Sequence, residues 1–188
     1  MYGPTKISII DSVADYVTLL ESIFDFPLIK SFLSTNVPTT FRFLFDGLHG
    51  VTGPYADAIF VHTLGLPSSC LQNCVPLPDF GGGHPDPNLT YAHSLVEVVD
   101  REGISFGAAS DGDGDRNMIY GKDAFVTPSD SVAIIADWAD VIPYFQDEKG
   151  LKGLARSMPT SKAIDLVAKQ KGVECFEVPT GECVWGGV

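Results

Sequence analysis

The apolar residues near the start of the chain fall into two patterns. Residues 7–10 form a short apolar run that predicts a strand. A stripe at helical spacing then predicts a helix capped by Asp11 or Ser12, and its members are Val13, Tyr16, Val17, Leu20 and Phe24. A second helix is expected over residues 27–33, because this segment starts with proline, and a polar break follows at residues 36–40.

Strands and helices alternate through the middle of the chain. Residues 41–45 are almost wholly apolar, which is typical of a buried central strand, and a helix ended by Gly65 is expected over residues 54–64. Later helices and strands are predicted at residues 89–102, 104–109, 117–120 and 128–141. Alternation at this spacing predicts an α/β fold with a mixed, largely parallel sheet and flanking helices.

A second, smaller unit begins after the turn-rich residues 143–150, which we expect to be a linker. The unit consists of a strand, a helix and a strand, predicted at residues 151–157, 161–171 and 173–178. One βαβ unit cannot cover both faces of a parallel sheet, so we expect an incomplete second α/β domain over residues 151–188. We assign residues 1–14 to the end of a preceding domain or linker, and residues 15–142 to the first α/β domain.

Charge and cysteine content exclude several classes of function. The 188 residues carry a formal net charge of -12, and such an acidic surface repels both nucleic-acid phosphates and anionic membranes. No apolar run approaches the roughly 18 residues of a membrane-spanning helix. We therefore expect no nucleic-acid or membrane partner.

The four cysteines are unevenly spaced and the first residues lack a signal-peptide core, which predicts free thiols and a cytoplasmic location. Separately from these features, we expect a monomer.

The segment with the clearest chemistry is Ser110-Asp-Gly-Asp-Gly-Asp-Arg-Asn117. Its three aspartates stand two residues apart, and alternate side chains of an extended or turning backbone lie on one side. Three converging carboxylates repel each other unless a divalent cation joins them, and all-oxygen ligands suit Mg²⁺. The sequence therefore predicts a metal site formed by Asp111, Asp113 and Asp115. Arg116 either binds a phosphate beside the metal or pairs with one of the aspartates.

Two other classes of protein place aspartates in a similar pattern. An EF-hand needs glycine at the sixth loop position and glutamate at the twelfth, where this chain has Arg116 and Lys122. A phosphatase with an aspartate nucleophile also carries Asp-x-Asp after a buried strand, with Asp111 as the attacking group. That phosphatase stays open as an alternative, although it favours a small or β-branched residue at the position of Asp115.

A few further residues could bind an anion or could simply order their loops. His49 lies before a predicted helix start, and His84 lies in the loop at residues 81–88. Arg156, Ser157 and Thr160 follow a predicted strand, where ligands of α/β sheets collect, but the two hydroxyls could also cap the next helix. Asp46 ends a buried strand and could orient His49.

The aspartate loop, Asp111-Gly-Asp-Gly-Asp-Arg116, resembles the metal loop of the α-D-phosphohexomutases. Two further segments resemble that family: Phe45-Asp-Gly-Leu-His-Gly-Val-Thr-Gly-Pro-Tyr55 and Ala155-Arg-Ser-Met-Pro-Thr-Ser161. Within the family, the resemblance is to the phosphoglucomutases. Matching segments also occur at residues 79–92, 106–119 and 178–181. They cover nearly the whole chain in the family's order, as its second domain and part of its third.

The resemblance implies an isomerase of carbohydrate metabolism that interconverts glucose 1-phosphate and glucose 6-phosphate. Members of the family use Mg²⁺, a phosphoserine and glucose 1,6-bisphosphate. By the same resemblance the metal ligands are Asp111, Asp113 and Asp115. Arg116 is then expected to contact the sugar phosphate beside the metal, and Thr180 and Gly181 to belong to a loop that meets it.

The chain also departs from the family's pattern. The phosphoserine motif Thr-Ala-Ser-His is not among these residues, so we expect no catalytic nucleophile here and no activity of the chain alone. After Gly181 the family usually continues Trp-Lys-Phe-Phe, whereas this chain has Glu182-Cys-Val-Trp-Gly-Gly-Val188. A non-catalytic metal-binding or scaffolding relative is therefore a further alternative.

Overall fold

Two capped helices open the described part of the computed structural model, which covers residues 6–122, 124–148 and 150–180. Helix α1 spans Ser12–Ile23, and the Asp11 side chain accepts hydrogen bonds from the free N–H groups of its first turn. Helix α2 spans Phe26–Asn36 and is capped in the same way by Asp25. Both predicted helices are confirmed, and the second is one turn longer than its apolar pattern indicated.

The strand predicted at residues 7–10 is wrong. These residues have no regular structure, and Ile7, Ile9 and Ile10 are 68%, 100% and 74% exposed. A strand requires a neighbour for its backbone groups, and no strand of the described residues pairs with this segment. Alternating apolar side chains are therefore not sufficient to form a strand here.

A five-stranded sheet forms the centre of the first unit. Its strands are β1 (Phe43–Asp46), β2 (Leu71–Gln72), β3 (Phe106–Ser110), β4 (Asn117–Gly121) and β5 (Ala124–Val126), in the spatial order β2-β1-β3-β4-β5. Strand β1 pairs in parallel with β2 and β3, whereas β4 pairs antiparallel with β3 and β5. Four strands thus run in one direction, which confirms the mixed, largely parallel sheet; β2 and β5 were not predicted.

Helices cover both faces of this sheet. Helix α3 (Gly53–Ala56) continues as a π-helix (Asp57–Thr63) between β1 and β2, and its Phe60 ring packs on Phe43. Helix α4 (His93–Glu102) lies between β2 and β3 on the opposite face, where Leu95 and Val99 are fully buried against Leu44. The chain places β2 on one side of β1 and β3 on the other. The loops after β1 and β3 therefore meet at a switch point, where α/β sheets usually bind ligands.

The second unit is a two-stranded parallel sheet with its own core. Strands β6 (Gly153–Ser157) and β7 (Glu174–Val178) flank helix α7 (Ala163–Lys171), which ends at Gly172 with a left-handed φ of 70°. This confirms the predicted βαβ unit. Its two strands make no sheet pairing with other described strands.

The segment that joins the two units is more ordered than a linker. Helix α5 (Pro128–Asp137) is capped by Thr127, and helix α6 (Pro143–Asp147) lies within the expected linker at residues 143–150. Ala133 and Ala136 of α5 share a buried cluster with Ile164 of α7. The division after residue 142 stays a prediction, but this packing favours a boundary before Pro128.

Candidate metal centre

Three carboxylates converge in the loop between β3 and β4. One oxygen each of Asp111, Asp113 and Asp115 lies within 4.8 Å of the other two. Asp111 is 1% exposed at the end of β3, whereas Asp113 and Asp115 face solvent. The structure thus brings together the three residues that the spacing had indicated.

Local hydrogen bonds curl this loop. Asp111 Oδ1 accepts from the backbone N–H groups of Gly114 at 2.9 Å and Arg116 at 3.0 Å. Gly114 has a φ of 87°, a backbone conformation that strongly favours glycine. The buried aspartate therefore acts as the hub of a tight turn, and the turn directs the next two carboxylates back towards it.

Arg116 is bound between two acidic side chains. Its Nε donates to Asp111 Oδ2 at 3.0 Å, and its Nη1 donates to Asp86 Oδ1 at 3.1 Å. The Arg116 side chain is still 58% exposed, and among the described residues its Nη2 makes no hydrogen bond. Pairing orients the guanidinium without using all its donors, so it can also bind an anion.

The crowding of the carboxylates changes their pKa values. Burial alone would raise the pKa of Asp111, but hydrogen bonds from Arg116 and its two neighbouring aspartates lower it below the ordinary value. Hydrogen bonding with Asp111, together with the negative charges of Asp111 and Asp113, raises the pKa of Asp115. The loop thus has one carboxyl whose pKa is lowered and one whose pKa is raised, and a cation bound among them would favour the ionised form of both.

Two neighbouring loops hold the aspartate loop at the sheet edge. Val51 N donates to Gly112 O at 3.0 Å, and Gly112 N donates to Pro85 O at 3.2 Å. A Cβ at Gly50 would lie 2.8 Å from the Gly112 carbonyl oxygen, so glycine allows this close approach. The loops after β1 and β2 thus support the metal loop from two sides.

The histidines singled out from the sequence order these supporting loops. His49 has a left-handed φ of 57°, and its Nδ1–H donates to the Val75 carbonyl oxygen at 2.8 Å. The His84 ring stacks on Tyr91 at 4.1 Å. Asp46 does not hydrogen-bond to His49. It is fully buried and accepts hydrogen bonds from Leu48 N, Gln72, Asn73 and Ser94.

The candidates of the second unit have different environments. Arg156 is 4% exposed and donates to both oxygens of Asp165 and to Glu177, so its guanidinium is held in an internal ion pair. The hydroxyls of Ser157 and Thr160 hydrogen-bond to each other at 2.8 Å. Thr180 is exposed just past β7 and makes no hydrogen bond with the aspartate loop, while Gly181 lies outside the described residues.

The described cysteines Cys70, Cys74 and Cys175 are free thiols, as predicted; Cys183 lies outside the described residues. Burial raises the pKa of Cys70 and of Cys74 to about 11. A thiol with such a pKa stays protonated near neutral pH and is a poor nucleophile or metal ligand. Among the described residues, the cluster that could hold a metal contains none of these cysteines.

Two contributors to the site were not predicted from the sequence. Asp86 lies 30 positions before the arginine that it binds, and Thr52 hydrogen-bonds to Ser110 across 58 positions. Both residues lie in segments that contain turn residues. Neither segment has the spacing of charged or polar residues that is typical of a metal site or an anion site. The order of strands in the sheet brings these segments together.

The donor set fits a hard divalent cation. Three carboxylates supply oxygen ligands only, which suit Mg²⁺, and one oxygen of each lies within 4.8 Å of the other two. Asp86, Asp111 and Asp115 pair with the Arg116 guanidinium and Asp113 adds a fourth carboxylate to the cluster, so the loop without a cation would repel a phosphate. A divalent ion would offset most of this charge and make the loop able to accept an anionic substrate.

The fold and this loop define a class of protein. The chain belongs to the phosphoglucomutase/phosphomannomutase family, since the family model of α/β/α domain II matches residues 14–124 and that of α/β/α domain III matches residues 128–184. The gap between the two matched ranges lies before α5. It therefore agrees with the packing of α5 on the second unit.

The curated proteins that the chain resembles include phosphoglucomutases. The chain is 67% identical over 180 residues to a phosphoglucomutase of Schizosaccharomyces pombe, and 56% identical over 189 residues to a chloroplastic phosphoglucomutase of Arabidopsis thaliana. It covers 32% and 30% of those proteins, while the alignments span 96% and 100% of this chain. The chain thus spans about a third of the length of the curated relatives that it matches.

A solved structure supports the same placement. The open form of parafusin, a phosphoglucomutase from Paramecium, superposes with a TM-score of 0.84 at 51% identity and covers 94% of this chain, which corresponds to 32% of parafusin. None of the helices among the described residues is long and apolar enough to span a membrane. Since one relative is chloroplastic, the cytoplasmic location stays a prediction.

Proposed function

We propose that this chain supplies the divalent-cation site of a phosphoglucomutase that interconverts glucose 1-phosphate and glucose 6-phosphate. The observation that carries the proposal is the set of three converging carboxylates with Arg116 bound beside them, at the switch point of the sheet. The high identity to phosphoglucomutases over nearly the whole chain supports the choice of substrate. Mg²⁺ is the proposed ion, and glucose 1,6-bisphosphate is the proposed intermediate of the complete enzyme.

The proposal gives each residue of the loop a separate role. Asp111, Asp113 and Asp115 would hold the ion, which supplies positive charge where a phosphoryl group transfers. Arg116 has an unused donor edge beside the triad and would bind a phosphate oxygen. Asp111 also fixes Arg116, so the ion and the guanidinium keep a set distance. Thr180 and Gly181 are proposed as contacts to the sugar phosphate.

An aspartate-nucleophile phosphatase is less well supported. Asp111, its candidate nucleophile, is 1% exposed and accepts hydrogen bonds from three N–H groups of the loop. A nucleophile needs access to the phosphorus atom and a free oxygen. These contacts favour a role of Asp111 in shaping the loop over nucleophilic attack.

A chimera tests the proposed function. The 180 matched residues of the S. pombe phosphoglucomutase would be replaced by the corresponding residues of this chain, and turnover of glucose 1-phosphate would be measured with Mg²⁺. We expect turnover within about tenfold of the parent, because most residues are the same. Asp113→Asn in the chimera should lower turnover by at least about a hundredfold, since it removes a charged ligand.

The matched control is Asp100→Asn, an aspartate of α4 that accepts a hydrogen bond from Tyr120 and, among the described residues, makes none with the aspartate loop. It should leave turnover nearly unchanged. A folded chimera without activity would contradict the proposal, as would full activity of the Asp113→Asn chimera. The 188-residue chain alone is expected not to turn over glucose 1-phosphate; if it binds Mg²⁺ but the chimera is inactive, a non-catalytic metal-binding role is favoured.

A further inference from the structure

Thr52 contacts the aspartate loop at two points. Its Oγ1 lies 2.6 Å from Ser110 Oγ, the residue directly before the first carboxylate. Its methyl group lies against Gly114, between the second and third carboxylates, where a Cβ would come within 2.6 Å of Thr52 Cγ2. One side chain from the loop after β1 thus touches both arms of the metal loop.

The hydrogen bond between Thr52 and Ser110 is largely shielded from solvent, whereas Gly114 is exposed. Thr52 is half-buried and Ser110 is 8% exposed, so water competes poorly for their hydrogen bond. Gly114 has a φ of 87°, and no side chain of its own fixes its position. The methyl group of Thr52 therefore limits how far this arm of the loop can move towards the loop after β1.

We propose that Thr52 is a positioning residue that sets the distance between the carboxylates, and thereby the preference of the site for Mg²⁺ over Ca²⁺. This inference rests on the proposed metal site. Its hydroxyl anchors the arm that carries Asp111, and its methyl group supports the arm that carries Asp113 and Asp115.

The preference between the two ions follows from their coordination chemistry. Mg²⁺ requires near-octahedral oxygen ligands at about 2.1 Å, whereas Ca²⁺ accepts variable geometry at about 2.3 to 2.6 Å. A loosened loop should therefore lose affinity for Mg²⁺ more than for Ca²⁺. A residue that merely stabilised the fold would change both affinities equally, or neither.

Single substitutions separate the two contacts of Thr52. Thr52→Val keeps the shape and the methyl contact but removes the hydroxyl, and Thr52→Ser keeps the hydroxyl but removes the methyl group. We expect each to weaken Mg²⁺ binding about tenfold and Ca²⁺ binding about twofold or less, the usual range for groups that orient metal ligands. Affinities of the 188-residue chain would be measured by calorimetric titration with each metal alone.

A double variant separates positioning from stability. Thr52→Val leaves the Ser110 hydroxyl without its partner and should lower the midpoint of thermal unfolding. Adding Ser110→Ala removes that unpaired group, so the midpoint should return towards the wild-type value. If Thr52 positions the loop, Mg²⁺ affinity stays about tenfold low in the double variant although stability recovers.

The matched control is Thr63→Val, which also removes a part-buried threonine hydroxyl, one that donates to Ala58 O at 2.8 Å in the π-helix. It should leave the ratio of Mg²⁺ to Ca²⁺ affinity unchanged.

An unchanged ratio in both folded Thr52 variants would overturn the inference while the metal site stands. Absence of Mg²⁺ binding by the wild-type chain would overturn the metal site and the inference together. If Thr52→Val does not fold, Thr52→Ser and the double variant decide.

Discussion

Arg116 and Arg156 each bind two or more acidic side chains, but in different surroundings. Arg156 lies inside the second unit, its side chain 3% exposed, with donors committed to Asp165 and Glu177. Arg116 lies at the edge of the central sheet, its side chain 58% exposed, between Asp111 and Asp86. Ion pairs thus hold the buried Arg156 within the second unit, whereas at Arg116 they leave part of the guanidinium able to bind another group.

The difference shows which property marks a binding arginine. The sequence placed both arginines near strand ends, where ligands of α/β sheets collect. Burial and the number of unused donors separate them: Arg156 is 4% exposed with matched acceptors, whereas Arg116 keeps an open edge beside three carboxylates. An ion pair by itself therefore does not identify a functional arginine.

The largest expected effect comes from removing Arg156. Arg156→Leu should lower the free energy of unfolding by about 3 kcal/mol, because it removes three charge-assisted hydrogen bonds of a buried guanidinium and leaves two partly exposed carboxylates without their cation. The pKa of Asp165, which hydrogen bonds from Arg156 hold below its ordinary value, should rise towards that value. Urea denaturation of the 188-residue chain measures the change. Unaltered stability, or a loss of Mg²⁺ affinity in the folded variant, would contradict a purely structural role.

Arg116→Leu should have the opposite profile. Its guanidinium is largely exposed, and Asp111 would keep its two backbone hydrogen bonds, so we expect the free energy of unfolding to fall less than in Arg156→Leu. In the chimera, kcat/KM for glucose 1-phosphate should fall about 10- to 100-fold through loss of a charge-assisted hydrogen bond to phosphate. Arg101→Leu, which removes another exposed arginine, serves as the control and should leave kcat/KM unchanged. A kcat/KM close to that of the unsubstituted chimera would place the phosphate elsewhere.

Asp86→Asn should have a smaller effect of the same kind. The asparagine keeps an acceptor for Arg116 Nη1 but removes the charge, so the guanidinium should become less firmly oriented. We expect kcat/KM of the chimera to fall about threefold to tenfold, while its Mg²⁺ affinity changes by less than about twofold. A larger loss of Mg²⁺ affinity than of kcat/KM would show that Asp86 acts on the metal rather than on Arg116.

The smallest effect concerns pH. Hydrogen bonding with Asp111 and the charges of its neighbours raise the pKa of Asp115, so without metal this group disfavours the folded state as pH rises through that raised pKa. A divalent ion removes this penalty once Asp115 is ionised. The rise in thermal midpoint caused by Mg²⁺ should therefore be full near about pH 7 and decline towards about pH 4.

The control for the pH experiment is Asp115→Asn, whose side chain does not titrate. It should bind Mg²⁺ more weakly and show a flatter dependence on pH. Stabilisation by Mg²⁺ that is constant across the range in the unsubstituted chain would mean that Asp115 does not hold the ion. The same pH titration separates the two arginine sites. Mg²⁺ should not alter the acid titration of the Arg156 ion pair, because the proposed ion binds at the aspartate loop beside Arg116.

Much of the fold was predictable because its signals are local. The stripe of α1 and its Asp11 cap lie within a few turns of each other, and so do the proline, glycine and apolar runs that mark the other elements. Short elements were missed where the sheet itself makes them: β2 has two residues and pairs only through its neighbour β1. The apolar run at residues 7–10 failed for the converse reason, because no described strand pairs with it.

The sequence by itself determined the carboxylate triad, since three aspartates and two glycines within five residues converge through their own turn. The tertiary structure alone decided the rest of the site. It joined Asp86 to Arg116 and Thr52 to Ser110, and it buried Arg156 while leaving Arg116 open. The physical reason is distance along the chain: a turn is set by neighbouring residues, whereas contacts across 30 or 58 positions depend on the order of strands in the sheet.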